Sequence, residues 1–133
     1  MDSADQPSIP KLRVTPEEAR RAAVLPGHLS AKLMQYGSME VRWYQPRNID
    51  PQVPHDRDEL YVIVGGTAVF VRAEETTAFG DEPVVPVRGD ERVTVQMGDA
   101  LFVPAGTEHR FEAMSADFGA WMIFYGPEGG ERP

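Results

Sequence analysis

Along most of the chain, hydrophobic and polar positions alternate with a period of two, as in strands with one covered face. In SMEVRWYQ (38–45), Met39, Val41 and Trp43 alternate with Glu40 and Arg42, which predicts a strand whose apolar face is buried. ELYVIVGG (59–66) is apolar on both faces, as a strand inside a sandwich or barrel would be, and TAVFVRA (67–73) follows the Gly-Gly turn. VPVRGDERVTVQ (85–96) reads as a hairpin around Gly89-Asp90, and ALFVP, EHRFEAM and DFGAWMIFY read as three further strands. The period changes to helical in one place only. TPEEARRAAV (15–24) has Thr15 as N-cap, Pro16 at the first helical position and Glu18 completing a capping box, and Pro26-Gly27 marks its end. Many short strands after one small helix predict an all-β sandwich or barrel.

Two segments lack this periodicity. Residues 1–13 read as a flexible arm, and the Gly/Glu/Pro-rich residues 127–133 as a disordered tail, leaving 14–126 as one domain. EETTAFGDEPVVP (74–86) reads as an exposed loop at the rim of the barrel mouth. The RGD tripeptide at 88–90 is most simply a hairpin turn.

Composition narrows the partners. Thirteen basic residues against twenty-one acidic ones give a net charge of −8. That balance excludes a phosphate-backbone partner, which needs clustered Lys and Arg, and an anionic membrane surface. No apolar run reaches the about 20 residues that span a bilayer. The acidic, polar N-terminus is unlike a secretory signal, so a cytoplasmic location is expected. The 133 residues include no cysteine, which removes disulfides, zinc-thiolate sites, iron–sulfur clusters and cysteine nucleophiles together.

The chemistry lies in two stretches. In GDALFVPAGTEHRF, Gly98, Pro104, Gly106 and His109 stand at the spacing G-x5-P-x-G-x2-H. The glycines and proline shape a tight turn, and alternation then puts His109 on one face with Phe111 and Ala113. This spacing resembles the second motif of the cupin superfamily. In DPQVPHDRDELYVIVGG, His55, Glu59 and Gly66 match the second half of that superfamily's first motif. Its first histidine falls on Val53, its leading glycine on Arg47, and the closing asparagine of the second motif on Ala113. The resemblance covers roughly residues 38–125.

The resemblance implies a double-stranded β-helix, a conical jelly roll, with one short N-terminal helix, acting as a homodimer. It also implies a metal centre of His55, Glu59 and His109. Two imidazoles and a carboxylate suit a divalent transition metal with open positions, whether Fe, Mn, Zn, Ni or Cu. Val53, two residues before His55, should share its side of an extended chain. Trp43, Gln45, Phe102 and Phe111 are candidate contacts for a small-molecule ligand, and Tyr61 is the candidate for proton transfer. Asp56 and Asp58 either orient ligands or form an exposed acidic turn, the simpler reading. His28 matches no motif. A metal-dependent dioxygenase or a sugar- or keto-acid isomerase fits this set; a non-catalytic ligand-binding or sensor protein is the alternative.

Overall fold

A computed structural model describes residues 11–73, 76–77, 85–86 and 90–132. The helix α1 (Pro16–Arg21) forms with the capping box read from the sequence: Thr15 Oγ1 accepts from the Glu18 amide, and Glu18 Oε1 accepts from the Thr15 amide at 3.3 Å. It stops five residues before Pro26. Val24 and Leu25 beyond it are exposed, so no apolar partner holds a second turn.

The strands are β1 (Ala31–Tyr36), β2 (Met39–Tyr44), β3 (Asp58–Gly65), β4 (Thr67–Ala73), β5 (Thr76–Thr77), β6 (Val85–Pro86), β7 (Asp90–Gln96), β8 (Ala100–Val103), β9 (His109–Glu112) and β10 (Gly119–Tyr125). All pairings among the described residues are antiparallel. One sheet has the order β1-β2-β10-β3-β8, another β7-β4-β9, and β5 pairs with β6. The two larger sheets form the jelly roll. β1 was not visible in the alternation, because it is an edge strand with a register shift between Lys32 and Met34. The loop expected over 74–86 and the turn at Gly89 lie largely outside the described residues.

The core lies between the sheets. Tyr44, Tyr61, Ile63, Phe70, Phe111, Phe118 and Met122 are all buried in one cluster. Phe111 is its centre, with Tyr61 edge-on at 5.0 Å and Phe118 at 4.8 Å between ring centroids. Truncating it to alanine would cost about 3–5 kcal/mol. Gly66, between β3 and β4, has φ +73, and a Cβ there would collide with Ser115 and the Phe118 backbone. The sharp return of β4 therefore requires glycine.

The orientation of β2 corrects the sequence reading. Its alternation is real, but Glu40, Arg42 and Tyr44 form the buried inward face. Met39, Val41 and Trp43 point outward. Trp43 is covered by α1: it packs with Ala19 and Ala31, Arg20 stacks on its ring at 4.9 Å, and its indole N–H donates to Gln45 Oε1 at 2.9 Å. The glycine-rich residues after β10, read as disordered, make specific contacts instead. The Gly129 amide donates to the Asp56 carbonyl at 2.6 Å, and the Glu131 amide to Asp58 Oδ2 at 2.7 Å.

Candidate metal centre

Glu59 lies on β3, where the two-residue period turns Glu59, Tyr61 and Ile63 inward and leaves all three buried. His109 opens β9 directly after the turn that the second motif builds. Gly106 in that turn has φ +80 with open space around it, so the backbone conformation alone asks for glycine. The turn is tied to the segment carrying His55. The Gly106 amide donates to the His55 carbonyl at 2.6 Å, and the Ala105 amide to Asp58 Oδ1 at 2.9 Å. Asp58 is thus a buried brace and not part of an exposed turn, whereas Asp56 is exposed.

The ligand atoms of His55, Glu59 and His109 all lie within 4.8 Å of one another. His109 Nε2 is 2.9 Å from Glu59 Oε1, and His55 Nε2 is 3.8 Å from Glu59 Oε2. Neither Glu59 oxygen has a hydrogen-bond donor, and neither has His109 Nε2 a partner of hydrogen-bond geometry, although all three atoms are buried. His109 Nδ1 lies 2.8 Å from the Thr107 carbonyl. A carbonyl only accepts, so Nδ1 carries a proton. In the neutral ring, Nε2 then aims a lone pair at a bare carboxylate. Burying a carboxylate without a donor or cation costs several kcal/mol, so this arrangement asks for a positive charge between the two groups. A divalent metal supplies one. Without it, the proton does: burial alone would lower the His109 pKa, but contact with Glu59 outweighs it and raises the value above the ordinary histidine range. For His55 the balance reverses, and burial lowers its pKa despite Glu59. The residues present therefore fit a divalent transition metal held by two imidazoles and one carboxylate.

A cavity of about 310 Å³ opens beside this cluster. His28, Glu40, Arg42 and Arg57 form its polar wall, Met122 and Phe124 its apolar wall, and Gln52 and His55 also line it. Arg42 is buried and anchored: it bonds Glu40, donates to the Ser30 carbonyl at 2.9 Å, and lies 3.1 Å from His28 Nδ1. Arg57 donates to the other Glu40 oxygen at 2.9 Å.

The remaining sequence-derived candidates fall in varied places. Tyr61 is fully buried, and its hydroxyl donates to Gln52 Oε1 at 2.8 Å. Burial first, and Glu59 second, raise its pKa well above the ordinary tyrosine value. Phe111 lies in the core, outside the cavity lining. Three placements are corrections. Trp43 stands on the outer side of β2, because its polar face is the inward one, and Gln45, just beyond the strand, accepts from its indole N–H. Phe102 is 45% exposed, since Val103 and not Phe102 takes the buried position in β8. Val53 is 68% exposed, because residues 51–55 are not a strand and the two-residue rule does not apply. Sequence reasoning missed Gln52, and it missed His28, Glu40, Arg42 and Arg57 as cavity residues. The one available signal was charge within an alternating strand, which does not say which face is inward.

No family model matches the chain. An uncharacterized protein of Streptomyces coelicolor is 31% identical over 113 residues, covering 84% of this chain and 90% of that one. A cupin superfamily protein of Desulfitobacterium hafniense has the same fold, with a TM-score of 0.54, 22% identity, and 88% and 94% of the two chains covered. So does a hydroquinone 1,2-dioxygenase of Sphingomonas solved with 4-hydroxybenzoate bound, at TM-score 0.60 and 12% identity over 88% and 75%. The chain belongs to one family with the Streptomyces coelicolor protein, and its two-sheet jelly roll has the fold of a small cupin domain.

Proposed function

We propose that this cupin is a metal-dependent enzyme acting on a small organic molecule, with His55, Glu59 and His109 as its metal ligands. The observation that carries the reading is the buried Glu59 carboxylate, without a donor, facing the lone pair of His109. His55 joins that pair to the cavity wall, so a ligand in the cavity meets the site through it. A bound divalent metal would supply Lewis acidity toward a substrate oxygen or activation of dioxygen.

The chain's own residues bind and orient the substrate. Arg42 is fixed by Glu40 and Ser30 and presents a charged donor for a substrate oxygen. Met122 and Phe124 give the carbon skeleton an apolar wall. Tyr61 keeps its proton and acts as a hydrogen-bond donor to Gln52, not as a base. Dioxygenation is the reaction class to test first, because hydroquinone dioxygenases share the fold; isomerisation of a carbonyl compound is the other. A homodimer fits the outer face of the larger sheet, where Val41, Val62, Trp121 and Ile123 are only half-buried.

The experiment is oxygen uptake by the iron-loaded protein with a panel of small phenols and keto acids, beside the His109→Ala variant. Uptake that depends on both iron and His109 supports the reading. Tight binding of a panel compound without uptake or isomerised product would overturn catalysis and leave a binding protein.

A further inference from the structure

The geometry points to Gln52 as a fourth protein ligand, its amide oxygen completing the site in the place left by the histidine absent at position 53. This rests on the metal-binding reading above and adds a residue that neither motif contains. The orientation of the Gln52 amide is fixed. Its Nε2 donates to Asp50 Oδ2 at 2.6 Å, and its backbone amide donates to Asp50 Oδ1 at 3.2 Å. A carboxylate only accepts, so the nitrogen must face Asp50 and the oxygen must face the other way. Asp50 is itself immobile. It is buried, bonds the Tyr44 hydroxyl, and accepts from the Phe111 amide at 2.8 Å. The chain Phe111–Asp50–Gln52 therefore links the core of the second motif to the loop of the first.

Gln52 Oε1 then stands 3.1 Å from His55 Nε2 and 2.8 Å from the Tyr61 hydroxyl. Atoms about 2.1 Å from a common ion are about 3.0 Å apart when adjacent in an octahedron, and about 3.4 Å in a tetrahedron. The 3.1 Å from His55 to Gln52 is that of two adjacent ligands, whereas the 3.8 Å from His55 to Glu59 is wider than either spacing and would close on metal binding. The Tyr61 hydroxyl, which donates to the same oxygen, holds it in position and moderates its basicity. A set of two imidazoles, a carboxylate and an amide oxygen is harder than the three-histidine set of the full motif. It shifts preference away from copper and toward manganese, iron or cobalt.

The test is competitive chelation of Co(II) alone, comparing wild type with Gln52→Leu, Gln52→Glu and His109→Ala. The thermal transition of each metal-free variant is recorded in parallel. Gln52→Leu should weaken Co(II) binding about tenfold or more, and Gln52→Glu, which keeps an oxygen at that point but loses the donor to Asp50, should restore it only in part. The visible spectrum of Co(II) should also change between wild type and Gln52→Leu, as a lost ligand requires and a positioning role does not. If Gln52→Leu binds Co(II) like wild type with an unchanged spectrum, the inference is overturned while the three-residue site stands. If wild type itself, folded, binds no Co(II), both fall together. Should Gln52→Leu not fold, Gln52→Asn withdraws the oxygen by one methylene and is read by the same two outcomes.

Discussion

The two imidazoles of this site face one carboxylate and are held in opposite ways. His109 opens β9, its side chain has no exposed surface, and the Thr107 carbonyl fixes its ring. His55 sits on an irregular segment between Pro54 and the start of β3, its side chain 25% exposed in the cavity wall. Burial disfavours the charged form of both. At 2.9 Å Glu59 overcomes that for His109, and at 3.8 Å it does not for His55. Contact with Glu59, together with the Thr107 carbonyl, shifts His109 up, whereas His55, farther from Glu59, is shifted down. The buried half of the site demands a cation, and the open half remains a neutral donor facing the cavity.

Breaking the buried half should have the largest effect. His109→Ala leaves Glu59 buried with only the more distant His55 beside it, at a cost of about 3–5 kcal/mol to the metal-free fold. It should also lower metal affinity more than about 100-fold, beyond what loss of a supporting residue costs. Chemical denaturation and chelator competition measure the two. A variant as stable as wild type would mean that Glu59 is solvated and that the buried half is misread.

The cavity beside the open half has its own buried charge, which should come next. Glu40→Gln leaves Arg42 buried without its carboxylate and should cost about 3 kcal/mol. Burial alone would raise the Glu40 pKa, but the bonds from Arg57 and Arg42 outweigh it and hold the carboxyl below its ordinary range. A depressed folded value gives stability that is complete above the unfolded value of about 4.3 and is lost as pH falls through the folded one. The difference in Tm between wild type and Glu40→Gln should therefore be constant from about pH 5 to 8 and narrow below about pH 4. A gap that persists undiminished at low pH would remove the ionic part of the argument.

His55→Ala should be milder, with metal affinity falling about tenfold and stability changing by less than about 1 kcal/mol, because the residue is partly exposed and charge-neutral. If its effects match those of His109→Ala, the contrast between the halves disappears. Smallest of all is Val53→His. The side chain at 53 points to solvent, so chelator competition should give wild-type affinity within about twofold. A large gain would mean that position 53 turns inward when metal is present.

These outcomes follow the line between what the chain's own pattern discloses and what it conceals. The helix cap, most strands and the clustering of His55, Glu59 and His109 were legible, because capping boxes, alternation and glycine-dependent turns are local. Gly98 and Gly106 both take positive φ, so the spacing that carries the resemblance is a backbone requirement visible in the sequence. What was hidden depends on tertiary choice. Alternation in β2 announces two faces but not which one is inward, and α1 covering Trp43 makes the apolar side the outer one. The rule of two placed Val53 wrongly because residues 51–55 are not in a strand, and for the same reason Gln52 could not be seen. Ala113 records the departure from the superfamily pattern in its backbone. Its φ of 51 is one that asparagine tolerates and alanine adopts at a cost of roughly 1–2 kcal/mol.

The most direct test is elemental analysis of the protein purified without chelator, repeated after incubation with Mn(II), Fe(II), Co(II) and Zn(II) and desalting. The proposed metal centre predicts close to one equivalent of transition metal per chain, lost in His109→Ala. A wild-type chain that is folded yet takes up none of the four ions would contradict the metal centre. Its buried carboxylate would then be neutralised by the His109 proton alone.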